Sequence, residues 1–188
     1  MARRRCVWKG TVAGLAGGLV AAWVMNQFQS GWSAAASKFK ESKNVNGSGK
    51  ERQAEGSEDA TMKAANRVAK LVLRRPLNKS EKKKAAPVVH YAFAAAMGAA
   101  YGAAVEKMPR AKTGFGLSFG TALFLGADEI AVPALGLSSQ SSKEIKPGDH
   151  LYGLVSHFVY GATTELVRRG VRSYLQEPVG NWLLAIGN

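Results

Sequence analysis

The chain has one cysteine, Cys6, and three histidines in 188 residues. A single thiol cannot close an intramolecular disulfide, and no Cys or His spacing of the metal-ligand kind surrounds it, so no metal site is expected. Cys6 reads as an inert small residue. Acidic groups are also scarce, 13 against 26 Lys and Arg, which leaves a formal net charge of +13. No His-Glu-x-x-His, phosphate-loop or paired-cysteine pattern occurs, and the glycines of residues 10–18 follow no strand. Neither a catalytic residue nor a cofactor is therefore assigned. The apolar runs lack the period-2 alternation of strands, which a bilayer tolerates only as a closed barrel, so the chain reads as all-α.

The basic excess could serve nucleic acid, because Lys and Arg replace counterions along phosphate. No recognition helix, RNP-like strand or zinc spacing accompanies it. Fourteen of the 26 basic residues fall within residues 38–84, beside apolar segments, where anionic lipid headgroups are the more direct partner. Membrane lipid is the expected partner and nucleic acid is not.

Four apolar segments are long enough to matter. Residues 8–28 number 21 and cover about 30 Å, the thickness of a hydrocarbon core. Arg3, Arg4, Arg5 and Lys9 precede or open this segment, and Trp8, Trp23 and Trp32 stand where interfacial indoles anchor a span. A cleavable signal ending at Ala34, Ala35 and Ala36 is the rival, but polar Asn26, Gln27 and Gln29 make the approach to that site unusually long. The second span is expected over residues 86–105, the third over 113–132 and the fourth over 149–166. Pro109 and Pro133 close the second and third, and the tight basic turn between those two implies an antiparallel hairpin.

Between the first two spans, residues 37–56 offer almost nothing large to bury and read as a flexible linker. Residues 59–75 then place Met62, Ala65, Val68, Ala69 and Val72 on one stripe, with Lys63, Arg67, Lys70 and Arg74 opposite. That is the pattern of a basic amphipathic helix lying in the interface and touching headgroups, or of a solvated helix packed on the bundle. The expected organisation is a first span with its basic flank (1–36), a linker with the amphipathic helix (37–85), a three-helix core (86–175) and a short tail (176–188). The fold class is an all-α polytopic membrane helix bundle with about four transmembrane helices and one interfacial helix.

In lipid, small residues that let backbones approach are what drive helices together. Gly10, Gly14 and Gly18 recur at four-residue spacing, as do Ala94, Gly98 and Gly102, and Gly116 and Gly120. Gly153 and Gly161 flank His157. The same faces would equally serve a homo-oligomer or a protein partner. Ionisable groups at membrane depth are costly and often functional. The antiparallel order puts His90, Asp128, Glu129, His150 and His157 in one leaflet, whichever way the protein points. His90 and Tyr101 share a helical face, so a common polar pocket is geometrically allowed. Glu106 and Glu165 belong to the opposite surface, where interfacial ion pairs with Arg110 and Arg169 are expected. The short basic flanks at the N-terminus, at residues 107–112 and at residues 168–172 share that side, which places both termini in the cytoplasm.

The order of His90, Tyr91, Ala92 and Phe93, then Tyr101, Glu106, Lys107, Met108 and Pro109, then Pro133, Gly136 and Leu137, and last His157 with Glu165, Leu166, Val167, Arg168 and Arg169, resembles the YagU-like family of bacterial inner-membrane proteins. The resemblance covers residues 88–172. It implies a multi-pass inner-membrane protein and lends weight to His90, Glu106, His157 and Glu165, without implying an activity. The expected function is a non-enzymatic scaffold or envelope-associated protein. The alternative is a proton-linked sensor or small transporter built on the His and carboxylate cluster, which a polar cavity at Asp128 and Glu129 would favour.

Overall fold

The computed structural model describes residues 6–42, 50–72, 74–137 and 147–176. The basic tip carrying Arg3, Arg4 and Arg5, the polar loop of residues 138–146 and the Trp182-bearing tail lie outside the described residues. Among them six α-helices occur in the order α1 (Val7–Ser42), α2 (Lys50–Val72), α3 (Lys79–Lys107), α4 (Leu117–Leu123), α5 (Val132–Ala134) and α6 (Pro147–Tyr174). A 3-10 turn, Pro109–Lys112, follows α3, and a π-helical stretch, Phe124–Ala131, joins α4 to α5. Among the described residues there is no strand.

Helix boundaries depart from expectation in one region. Residues 37–56 contain the end of α1 and the start of α2, where a linker is expected. The linker reading weighs burial alone, whereas Lys, Glu, Arg, Gln and Ala, which open α2, favour helix without any partner. The basic residues 79–84 form the first turns of α3, which begins seven residues before the expected second span. Asn78 caps that helix: Glu81 N donates to Asn78 Oδ1 at 2.8 Å, and Asn78 N donates back to the Glu81 carboxylate at 2.9 Å. Arg75 donates to the same carboxylate at 2.8 and 3.0 Å, and Leu77 N donates to Asn66 Oδ1 of α2 at 2.9 Å. The corner between α2 and α3 is thus held by side chains on both sides of Pro76.

The long first helix is central. It packs against both α3 and α6, while α4 packs on α6 and α2 on α3. Residue pairing gives the directions. A methyl group built on Gly14 would overlap the Gly98 carbonyl oxygen, one on Gly18 that of Ala94, and one on Gly102 that of Gly10, so α1 and α3 run antiparallel with backbones touching. On the other side of α1, a methyl on Gly17 would sit 2.6 Å from the Thr164 carbonyl oxygen of α6. Gly116 and Gly120 meet the α6 backbone at Gly161 and His157, and Phe124 lies over Gly153. The π-linked segment therefore runs antiparallel to α6.

Among the described residues three segments are long and apolar enough to cross a membrane: Val7–Lys38, Lys79–Lys107 and Leu117–Ala134. The expected fourth span falls in α6, which is long enough but carries Glu165, Arg168, Arg169 and Arg172 in its second half. The core is built of small and aromatic residues, with Ala21, Ala22, Met25, Ala94 and Tyr160 packed together and Tyr91, Phe119 and Leu123 against them. On α2, Ala65 and Ala69 are buried, whereas Val68 and Val72 of the same apolar stripe are exposed, as is Leu71 beside it.

Candidate functional site

The fold gathers charge at both ends of the bundle. At the end formed by the start of α1 and α4 and the close of α3 and α6, Glu165 has no exposed surface and acts as a hub. Tyr101 Oη donates to it at 2.9 Å, Arg168 through Nε and Nη2 at 2.7 and 2.9 Å, and Arg169 through Nε at 2.6 Å. Buried charge is tolerated when it is paired and fully hydrogen-bonded, and this carboxylate meets that condition from two helices. A second unit lies beside it: Arg172, also buried, donates to Glu106 at 2.5 and 3.3 Å, and the Cys6 backbone N–H donates to the same carboxylate at 3.3 Å.

These partners differ from those expected. Glu106 takes Arg172, 66 residues away on α6, while Arg110 of the 3-10 turn is exposed. The local turn separates Arg110 from the α3 face, whereas the parallel α6 brings Arg172 onto it. Glu165 does meet Arg169, but Arg168 and Tyr101 hold it as well. Tyr101 is therefore not part of a pocket with His90: the two share a face of α3, yet eleven residues separate them by about 16 Å of helix rise. Lys112, Arg168, Arg169, Arg172 and Ser173 line a cavity of about 360 Å³ at this end. A smaller one of about 170 Å³ shares Lys112, Arg168 and Arg172 and adds Glu106 and Gln176. Three-dimensional neighbourhood, not spacing, is what reveals Arg168, Arg172 and Lys112; the i,i+3 relation of Glu165 and Arg168 is the one signal available in the sequence.

At the opposite end lie the five polar residues expected to share a leaflet. His150 Nδ1 is 2.8 Å from Glu129 Oε1. The His157 ring is nearly buried, with Nδ1 2.9 Å from the Gly153 carbonyl oxygen and Nε2 3.7 Å from Asp128 Oδ2. A carbonyl only accepts, so Nδ1 carries a proton and Nε2 is the nitrogen turned toward the carboxylate. His90 Nε2 is buried with no hydrogen-bond partner among the described residues, and its ring packs edge-on against Tyr91. Asp128 and Glu129 both belong to the π-helical stretch, a rare geometry that places side chains off the α-helical register. Neither lines either of the two cavities.

On α2, Arg67, Lys70 and Arg74 are exposed and Lys63 is half-buried; the Arg67 guanidinium lies beside the Gly136 turn. Among the described residues no group of His, Cys, Asp and Glu could hold a metal ion. Residues 116–120, Gly-Leu-Ser-Phe-Gly, fit the letters of the Gly-x-Ser-x-Gly nucleophile pattern. The physical context is wrong for it: no strand precedes Ser118, and its hydroxyl donates to the Thr113 carbonyl oxygen at 2.9 Å.

Together these observations define a protein that is all-helical over its described residues, with three helices among them long and apolar enough to cross a membrane. Residues 76–166, just under half of the chain, match a family described as a protein of unknown function (DUF1440). No curated protein and no solved structure matches the chain. The matched stretch takes in α3, the π-linked segment and most of α6, with Tyr101, Glu106 and Glu165 inside it and Arg168, Arg169 and Arg172 beyond its end.

Proposed function

We propose that the protein is a non-enzymatic, multi-pass scaffold of a bacterial inner membrane, with α6 as its fourth span, α2 along the interface and anionic lipid as its partner. The observation that carries this reading is backbone-level packing on both faces of α1, against α3 through Gly10, Gly14 and Gly18 and against α6 through Gly17. Helices whose backbones touch leave no solute path between them. The charged half of α6 is compatible with a span because Glu165 is neutralised by its own neighbours Arg168 and Arg169. Exposed Val68, Leu71 and Val72 beside exposed Lys70 and Arg74 suit a helix lying at a headgroup layer. The YagU-like resemblance over residues 88–172 implies a multi-pass inner-membrane protein, and the match to a family of unknown function over 76–166 overlaps it without describing a location. A second copy of the chain or a protein partner would use outer faces that the bundle leaves open.

The membrane reading predicts that the protein stays in the pellet through carbonate and high-salt washes and needs detergent for release. Recovery in the salt wash alone would show peripheral electrostatic binding instead.

One observation favours the second reading, a proton-linked sensor or small transporter: His157 Nε2 faces Asp128 while His90 Nε2 is unpartnered nearby. The scaffold reading expects His157→Gln and Asp128→Asn to lower thermal stability slightly, by ~0.6 kcal/mol for an average intramembrane hydrogen bond, with the same shape of stability against pH as the parent. Unfolding midpoints measured from about pH 5 to pH 8, where an ordinary histidine titrates, make the comparison. A pH profile displaced in both variants would replace the scaffold with the proton-linked reading.

A further inference from the structure

The two cavities at the α3, α4 and α6 end hold more positive charge than the fold consumes. Two carboxylates, Glu165 and Glu106, are paired there, yet four cations line the larger cavity: Lys112, Arg168, Arg169 and Arg172. Among the described residues no carboxylate lies within ion-pair distance of Lys112. The described hydrogen bonds of Arg168 and Arg172 use Nε and Nη2, and those of Arg169 use Nε alone, so guanidinium donors remain for the space these side chains wall. The Arg169 guanidinium carbon lies 4.6 Å from the centroid of the Phe115 ring, over its face. Phe115 is itself fixed between Gly114 and Gly116, all three with positive φ, a turn that only the flanking glycines make accessible. Nor are the cations spent on the carbonyl end of α6, where Lys9 Nζ from α1 donates to the Leu175 carbonyl oxygen at 2.8 Å.

We propose that this cavity binds a phosphate group, as the headgroup of an anionic phospholipid or as free phosphate. Planar guanidinium forks match tetrahedral oxyanions bidentately, a point-charge lysine completes the neutralisation, and the Ser173 hydroxyl adds a donor. At about 360 Å³ the space lies at the small end of the ~300–1,000 Å³ typical of ligand sites, larger than a bare phosphate needs. Exposed Trp8 and Phe115 at the same end are the aromatic residues that sit at headgroup level. The headgroup form of the site rests on the membrane reading above; the phosphate chemistry does not.

The test uses the full-length protein in phosphatidylcholine nanodiscs, with thermal midpoint as readout. One arm adds phosphatidylglycerol to the bilayer, and a second titrates inorganic phosphate against chloride at equal ionic strength. Exposed Lys112 is changed in Lys112→Gln, which leaves both buried carboxylate pairs intact, and Arg110→Gln removes an equal charge from an exposed residue of the same end that lines neither cavity. Stabilisation is expected to need about five-fold more anion in Lys112→Gln, the loss of one cation near a charged surface, and to be little changed in Arg110→Gln. Stabilisation by phosphatidylglycerol alone identifies a headgroup site, and stabilisation by inorganic phosphate as well identifies one open to the free ion. No stabilisation beyond chloride in either arm, or equal weakening in the two variants, overturns the proposal. Failure of the membrane reading shows separately, as release in the carbonate wash, and leaves the phosphate titration measurable in detergent.

Discussion

Gly14→Leu should separate α1 from α3 and destabilise the bundle by about 3 kcal/mol or more, the upper end of ordinary overpacking. A new side chain usually finds relief by rotating itself or its neighbour. At Gly14 the obstacle is the backbone of α3, the carbonyl oxygen of Gly98 and the Cα of Gly102, and backbone cannot rotate away. The helices must move apart, and every contact along the Gly10, Gly14 and Gly18 face is lost with them. Gly98→Leu should do the same from the other side, because Gly14 and Gly18 lie against it. Gly31→Leu and Gly170→Leu are the controls: a Cβ there meets nothing within 4 Å, and the change should be neutral or stabilising by up to about 1 kcal/mol, the helix propensity recovered on replacing glycine. Thermal unfolding in detergent separates the two groups. Equal midpoints for Gly14→Leu and Gly31→Leu would mean that α1 and α3 do not pack by their glycines.

Glu165→Ala is expected to cost about 3–5 kcal/mol, because breaking a buried pair from one side strands the other charge. Arg168 is 5 % exposed and cannot turn to water when its carboxylate is removed. Tyr101→Phe removes only one donor to the same group and should cost about 1 kcal/mol. Arg169→Ala should be similarly mild, since that side chain is 48 % exposed and its loss leaves Glu165 still held by Arg168. The ranking is the informative result, read from unfolding midpoints of the three single variants. If Glu165→Ala is no worse than Arg169→Ala, the carboxylate is not the hub of this end. Replacing Glu165 and Arg168 together by leucine should recover most of the loss, as apolar replacements of whole buried pairs often do.

How much of this was readable in the sequence follows from how local each signal is. The four-residue spacing of Gly10, Gly14 and Gly18 and of Ala94, Gly98 and Gly102 is a property of one helix at a time, and these are the residues through which α1 meets α3. The grouping of His90, Glu129, His150 and His157 toward one end needs only the alternation of helix direction. Partner choice is another matter. Glu106 sits near Lys107 and Arg110 in sequence, but its hydrogen bonds come from Arg172 and from Cys6, one hundred residues away. Alternation of direction makes α6 parallel to α3, but nothing along α3 specifies that the Arg172 face of α6 packs against it. Gly17 is similarly hidden: beside Gly18 it reads as part of one glycine run, yet adjacent residues on a helix point about 100° apart, so the two face different neighbours. The π-helical stretch has no compositional mark, because one additional residue per turn leaves the apolar run looking like any other span. The extension of α1 to Ser42 was missed for the opposite reason, since helix propensity acts there without the burial on which the linker reading depends.

The central place of α1 sets the order in which the molecule can be completed during its manufacture. The helix that touches both α3 and α6 leaves the ribosome before either of them, and its α6 contacts come late, at Thr164 and then at Leu175 just past the end of α6. Roughly 150 residues separate Gly17 from Thr164, which at ~5–20 residues per second is on the order of ten seconds or more of translation. Throughout that interval the groove along Gly17 has no α6 to fill it, and on the membrane reading proposed above lipid chains or the insertion machinery occupy it. On that reading newly made chains arrested before α6 present the Gly17 face to the bilayer, and the final step of assembly is the displacement of whatever has been keeping that place.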